Sequence, residues 1–411
     1  MPTSTPDTPH KIGIALAAIQ LFFTLTWTVY VIFLPKLAVQ VGLGKEAVLL
    51  ILMLDQLIFL VADTAMGIIA DKAARAYGKL GRWVVLATLT SCLAFLLLPL
   101  VAPLGATAQW VFLALTVTWS ITSSALRAPP LVLLGKYAAW SSIPWLTSLS
   151  FFGLGLAGAM APYLTVALRD LDPRWPFALS SIALALATVG ILWVERALQQ
   201  QGASTAPAGV TDATADVAVR KPPVAPFLFA VALLGIGFQI HFSLNSAPQY
   251  LRFAKPADLE HLMPIFWIGF NLLMLPASWL TRRYGGALIM GVAGWVGAIS
   301  AYAAATATDL DLLMAAQFIA GGAWGAVMMS AFAAALVLGR TGREGLVTGG
   351  MFSLLALAAF SRIAIVASQL NKDTQFAPLL TWLPTALWIA AGLLLLALAL
   401  KLRSPRYATS T

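Results

Sequence analysis

The sequence is short of charge. Only 10% of its 411 residues are Asp, Glu, Lys or Arg, whereas 60% are hydrophobic and mean hydropathy is +0.87. Soluble domains carry about 25% charged residues. A water-facing fold cannot hide so much apolar surface, so most of the chain is read as facing lipid. Cysteine is nearly absent: Cys92 is the only one and lies in an apolar run, which excludes an intrachain disulfide and a cysteine-rich metal site. The three histidines, His10, His241 and His261, lack metal-ligand spacing, so no resident metal or cofactor is expected. No Walker A sequence and no Ser-His-Asp constellation occurs, which argues against ATP drive and against an enzyme. The net charge of +9 comes without a basic stripe interleaved with aromatics. That pattern speaks against nucleic acid and for cations in the loops of a membrane protein.

What is present is long apolar runs. Windows of about 20 apolar residues mark membrane-crossing helices. They fall at 12–35, 46–70, 83–103, 108–133, 144–168, 175–195, 225–251, 261–281, 287–307, 310–338, 345–368 and 376–400. The start, MPTSTPDTPHK, is too weakly basic for a signal peptide and the run after it too long, so the first window is read as a retained helix. The expectation is an all-α membrane protein with twelve transmembrane helices.

The longest gap, 197–224, has no aromatic residue and is rich in Ala, Thr, Gln and Pro. Such a composition reads as a flexible linker. It divides the chain into six-helix bundles at 1–196 and 225–411. Placing the N-terminus inside puts sixteen of the 25 Lys and Arg residues in inner loops and tails and seven in outer connections. Both termini are therefore expected in the cytoplasm. The remaining two, Arg127 and Arg362, lie within helices. The loop after helix 2, YGKLGRW, is echoed after helix 8 by LTRRYGGAL, six helices on. With the linker, the echo suggests two six-helix pseudo-repeats.

Residues 63–83, DTAMGIIADKAARAYGKLGRW, carry a motif. Gly67, Asp71, Lys72, Gly78, Lys79 and Arg82 resemble the loop between helices 2 and 3 of the major facilitator superfamily. Gly78 follows Asp71 by seven residues and is preceded by Tyr77. That spacing, with Asp63-x-x-Met66-Gly67 and Trp83, resembles the glycoside–pentoside–hexuronide:cation symporter branch, which includes melibiose permease. The resemblance implies a major facilitator fold and a secondary active transporter in the cytoplasmic (inner) membrane. Such a carrier moves a small polar solute, a sugar or organic anion, coupled to protons or sodium, and is expected to be a monomer. It also implies that the motif forms a cytoplasmic gate. Gly67 would let two helices approach closely, and Asp71 would cap a neighbouring helix or pair with a loop cation. The plainer reading leaves Lys72, Arg75, Lys79 and Arg82 as topology signals only.

Ionisable groups inside a membrane are costly and point to function. Asp55 and Asp63 lie eight residues apart on helix 2, about 12 Å along its axis. The resemblance assigns the coupling ion to Asp63, and Asp55 is the second candidate. Melibiose-type symporters have a further acid one turn before Asp63, where this chain has Phe59, and another on helix 4, where it has none. The loss of carboxylates favours protons over sodium.

On helix 4, Thr116, Ser120, Ser123 and Arg127 share one face, expected to line the cavity. Asp63 and Arg127 lie at about the same depth by residue count, which predicts an ion pair, either static or broken on protonation. His241, Asn245 and Gln249 form a polar face of helix 7; Asn271, Gln317 and Arg362 lie on helices 8, 10 and 11. Each polar residue is either a solute contact or a bond between helices, and His241 is more readily a hydrogen-bonded wall residue than a proton carrier. Two guanidinium groups suit an anionic or zwitterionic solute, since each binds carboxylate or phosphate in bidentate fashion. Trp27 and Tyr30 are read as a stacking surface or as packing.

Helix 5 matches GxGxxG at Gly153, Gly155 and Gly158 but lies in no βαβ unit, so the glycines are read as packing sites. Ala161-Pro162 beside them is similar to a motif of proton antiporters. A proton-driven exporter therefore stands as one alternative, and a lipid or lysolipid carrier as another, provided a lateral apolar cleft exists.

Overall fold

The computed structural model describes residues 7–76, 80–205, 223–339 and 342–403. Eleven helical stretches in it are long and apolar enough to cross a membrane. One of them, Leu80–Tyr137, holds two crossings. Its first helix, α3 (Leu80–Val101), ends in a 3₁₀ segment where Gly105 takes φ 77°, and the chain turns back so that α4 (Gln109–Ser123) packs on α3. Glycine supplies that left-handed turn without a Cβ clash. The twelve crossings expected from hydropathy are thereby accounted for, and the protein is an all-α, multi-pass membrane protein.

The other long helices are α1 (Asp7–Gln40), α2 (Lys45–Ala76), α6 (Ile143–Ala167) and α7 (Arg174–Thr205) before residue 206. After residue 222 they are α8 (Val224–Ile240), α11 (Pro264–Tyr284), α12 (Gly286–Thr306), α13 (Leu310–Leu338), α14 (Glu344–Ala367) and α15 (Phe376–Arg403). Four of them, α1, α2, α7 and α15, outrun their apolar windows. Hydropathy marks the part in lipid, while backbone hydrogen bonding carries the helix on into polar sequence. Thus α7 continues to Thr205, through the first nine residues of the expected linker; residues 206–222 lie outside the described residues.

Two windows expected as plain helices are interrupted. The fourth breaks after α4 into a 3₁₀ turn, Ser124–Leu126, before α5 (Ala128–Tyr137). Pro129 and Pro130 explain the break, because neither has an N–H for the carbonyl four residues back. The seventh passes from α8 through a π-helical turn, His241–Asn245, into α9 (Ser246–Tyr250). A short α10 (Leu259–Leu262) then leads into α11.

Helices α1–α7 pack among themselves, as do α8–α15, and the two groups meet mainly along α2–α14 and α6–α11. Glycine sets both seams. A β-carbon on Gly67 would overlap the Gly345 carbonyl, and one on Gly349 the Asp63 carbonyl. In α6, Gly153 faces the Ala17 carbonyl of α1, while Gly155 and Gly158 face Phe270, Asn271 and Trp267 of α11. The GxGxxG run is thus a packing device. Large apolar side chains such as Val61, Trp110, Trp175 and Leu179 are more than two-thirds exposed, as a lipid-facing surface requires.

Candidate functional site

The site begins at the α4–α5 break. Because the helix is interrupted there, Arg127 stands between two helical segments with its guanidinium turned toward α2. Its Nη1 lies 2.8 Å from Asp63 Oδ2, and Asp63 is fully buried. The geometry is that of a charge contact rather than a hydrogen bond, and among the described residues neither carboxylate oxygen of Asp63 has a hydrogen-bond partner. The pair predicted from equal depth is present. The guanidinium also lies 4.8 Å from the ring centre of Phe59 and 5.0 Å from that of Phe352 on α14. Cation–π attraction on two sides helps keep this charge in a water-poor place. Phe59 therefore fills the turn between Asp55 and Asp63, and Phe352 brings the opposite helix group onto the ion pair.

Asp55 is placed differently. It is fully buried, accepting hydrogen bonds from Ser120 Oγ at 2.6 Å and from Tyr30 OH at 2.9 Å. Thr116, Ser120 and Ser123 are all at most 1% exposed. Where a cavity lining was expected, these three side chains turn into the bundle: Ser120 reaches Asp55 of α2, while Thr116 donates to the Phe112 carbonyl and Ser123 to that of Ser120. A buried carboxyl without hydroxyl donors would be strongly destabilised, and Ser120 and Tyr30 supply them. Tyr30 and Trp27 belong to the same nest: Trp27 stacks on Trp119 at 5.6 Å, and Tyr30 is inaccessible.

In the second group, His241 Nε2 lies 3.1 Å from Gln317 Oε1. Ser246 Oγ donates to that same oxygen, and Gln317 Nε2 donates to Gln249 Oε1. This arrangement assigns the imidazole proton to Nε2, since the amide oxygen can only accept. The histidine is thus a hydrogen-bonded residue of a buried amide cluster. Asn245 donates to the Leu380 carbonyl. With its amide oriented to satisfy both neighbours, Asn271 bonds to Phe152 O and Leu156 N, each at 3.2 Å, joining α11 to α6. Arg362 is half-buried and donates through Nε to Gln239 Oε1 at 3.0 Å; it has no ion pair among the described residues.

At one end of the α2–α14 seam, Asp71 is nearly buried. Its Oδ1 accepts from Gly345 N at 2.7 Å and its Oδ2 from Leu346 N at 2.9 Å. The carboxylate caps the first turn of α14, where free N–H groups and the helix dipole favour negative charge. Lys72 and Arg82 are exposed, and Gly78 and Lys79 lie outside the described residues. Thr64 and Ser353 share a 2.7 Å hydrogen bond across the same seam. Sequence reasoning missed Phe352, Ser353, Gln239 and the cap on α3 made by Glu195, whose Oε2 accepts from Gly81 N at 3.1 Å. Each partner lies in a distant part of the chain, so no local spacing signals it.

No family model matches the chain, and no curated protein matches it in sequence. Solved structures do match in shape. The human organic anion transporter MFSD10 (TETRAN) superposes with TM-score 0.67 at 14% identity, over 94% of this chain and 99% of its own. A bacterial homologue of the iron transporter ferroportin in an outward-facing state, with soaked iron, gives 0.70 at 14%, over 94% and 98%. The Major Facilitator Superfamily transporter FucP, in the outward conformation, gives 0.62 at 11%, over 95% and 99%. The chain has the major facilitator fold. Within that fold, the Asp71 contact joins the two helix groups beside the loop that carries the sequence motif, and the Asp63–Arg127 pair lies further along the same seam.

Proposed function

We propose that the protein is a secondary active transporter that moves a small polar solute, a sugar or organic anion, by alternating access coupled to protons. Residues 1–196 and 225–411 act as two bodies joined through 197–224, in the inner membrane with both termini cytoplasmic. The observation that carries the reading is the Asp63–Arg127 pair, buried at the seam and covered by Phe352 of the other body. Protonating Asp63 removes the partner of Arg127 and frees the guanidinium for solute. Because Arg127 also contacts α14, that change biases how the two bodies meet. Ion and solute then act on one conformational equilibrium, and their coupling is reciprocal. Sodium at Asp63 would have to share the carboxylate with a guanidinium, which favours the proton. Asp71 and its loop hold the cytoplasmic side closed.

An anion is favoured by Arg362, whose described partner is the neutral Gln239, and by the organic anions named for MFSD10. The glycoside–pentoside–hexuronide branch is suggested by residues 63–83 alone. The test is solute-evoked charge movement in proteoliposomes, with sugars, uronates and other organic anions, with and without sodium, for wild type and Asp63→Asn. A current that grows with outside acidity and vanishes in Asp63→Asn supports the reading. A sodium-dependent current replaces the proton. Equal responses of both proteins refute the role of Asp63. An exporter would show solute and proton fluxes in opposite directions.

A further inference from the structure

Two adjoining hollows run along the lipid-facing side of α2. One, of about 500 Å³, is lined by α2 from Leu57 to Ile69 and by Ile121 of α4. The other, of about 510 Å³, shares Met66 and Ile69 with it and extends to Lys72, walled by Trp83 of α3 and by Ala125 and Pro129 at the α4–α5 break. Together they form one apolar groove. From Val61 to Lys72 it runs about 16 Å along α2, close to the ~15 Å hydrocarbon depth of a single leaflet. At its end Lys72 is exposed, without an ion pair among the described residues, and Trp83 stands 57% exposed on the rim. An ammonium and an indole at that level suit the headgroup zone, where lysine stems snorkel and tryptophan rings collect.

We propose that this groove binds one anionic phospholipid of the bilayer, its phosphate at Lys72 and an acyl chain laid along Met66 and Ile69 toward Val61. Charge and depth select that occupant: the trough is apolar for one leaflet and ends in a cation. All lining residues lie between 57 and 129, so the groove does not open onto the α2–α14 seam. The lipid is a resident rather than cargo. It braces α2, which carries Asp63 and Asp71, against the break that presents Arg127. The inference does not depend on the transport reading.

Native mass spectrometry of the full-length protein, purified with equimolar phosphatidylglycerol and phosphatidylcholine, tests it. Wild type should retain one phosphatidylglycerol, preferred about fivefold, the effect of one lysine near an anionic headgroup. Lys72→Gln should lose that preference. Ala65→Phe, which fills the exposed trough without touching the core, should lose both lipids. Leu179→Phe, on a distant lipid-facing surface of α7, should behave as wild type. Equal retention of the two lipids by wild type, or phosphatidylglycerol kept by Ala65→Phe, overturns the proposal.

Discussion

Gly67 and Gly345 touch backbone to backbone: a β-carbon on either would overlap the carbonyl oxygen of the other. Two helices far apart in the chain therefore approach as closely as their main chains permit. Gly67→Ala should separate them or force a shift, costing about 1–3 kcal/mol in the closed arrangement. Distances between spin labels at the Asp71-side ends of α2 and α14 should lengthen or broaden. An unchanged distribution would mean that the seam has slack which the packing does not display.

Asp71 completes the contact by accepting from two backbone amides of α14. Asp71→Asn keeps one acceptor oxygen but loses the charge that the helix terminus favours. The expected loss is about 0.5–2 kcal/mol, seen as a lower melting temperature and greater solvent accessibility of α14's first turn. Asp71→Ala should lose more, because both amides are left without this partner.

The Asp63–Arg127 pair can be weighed by a double-mutant cycle. Removing only the carboxylate, in Asp63→Asn, strands a largely buried guanidinium and should destabilise by about 3–5 kcal/mol. Adding Arg127→Gln should restore much of that stability, because no uncompensated charge remains. A double variant no better than Asp63→Asn alone would show that Phe59 and Phe352, rather than Asp63, keep Arg127 in place.

Outside the membrane, Asp309 caps α13. The N–H of Leu312 first, and the Thr308 hydroxyl next, hold its carboxyl below the usual carboxylate value. A depressed value means that its contribution is complete above the ordinary range and is lost as pH falls through the lowered one. Melting curves of wild type and Asp309→Asn, run from neutral to acid pH, should therefore converge toward the acid end. Curves that stay parallel would assign the cap no pH-dependent part.

The sequence alone determined that this is a helical membrane protein and where its crossings lie. Those features follow from local composition: a bilayer imposes a fixed apolar length on every crossing. It also determined that Asp63 and Arg127 share a depth, since residue count converts to height along a helix. Direction around the helix and contact across the molecule were settled only by the tertiary structure. Thr116, Ser120 and Ser123 do share a face, but that face turns inward, where Ser120 meets Asp55, because a buried carboxyl needs hydroxyl donors and periodicity does not say which neighbour supplies the need. Asn271 became a bond between α6 and α11, and His241 a member of an amide cluster, through partners more than 70 residues away. The groove along α2 likewise exists only once α3 and α5 stand beside it. Lysine and alanine there are unremarkable in sequence; their arrangement makes a leaflet-deep trough with a charge at its end.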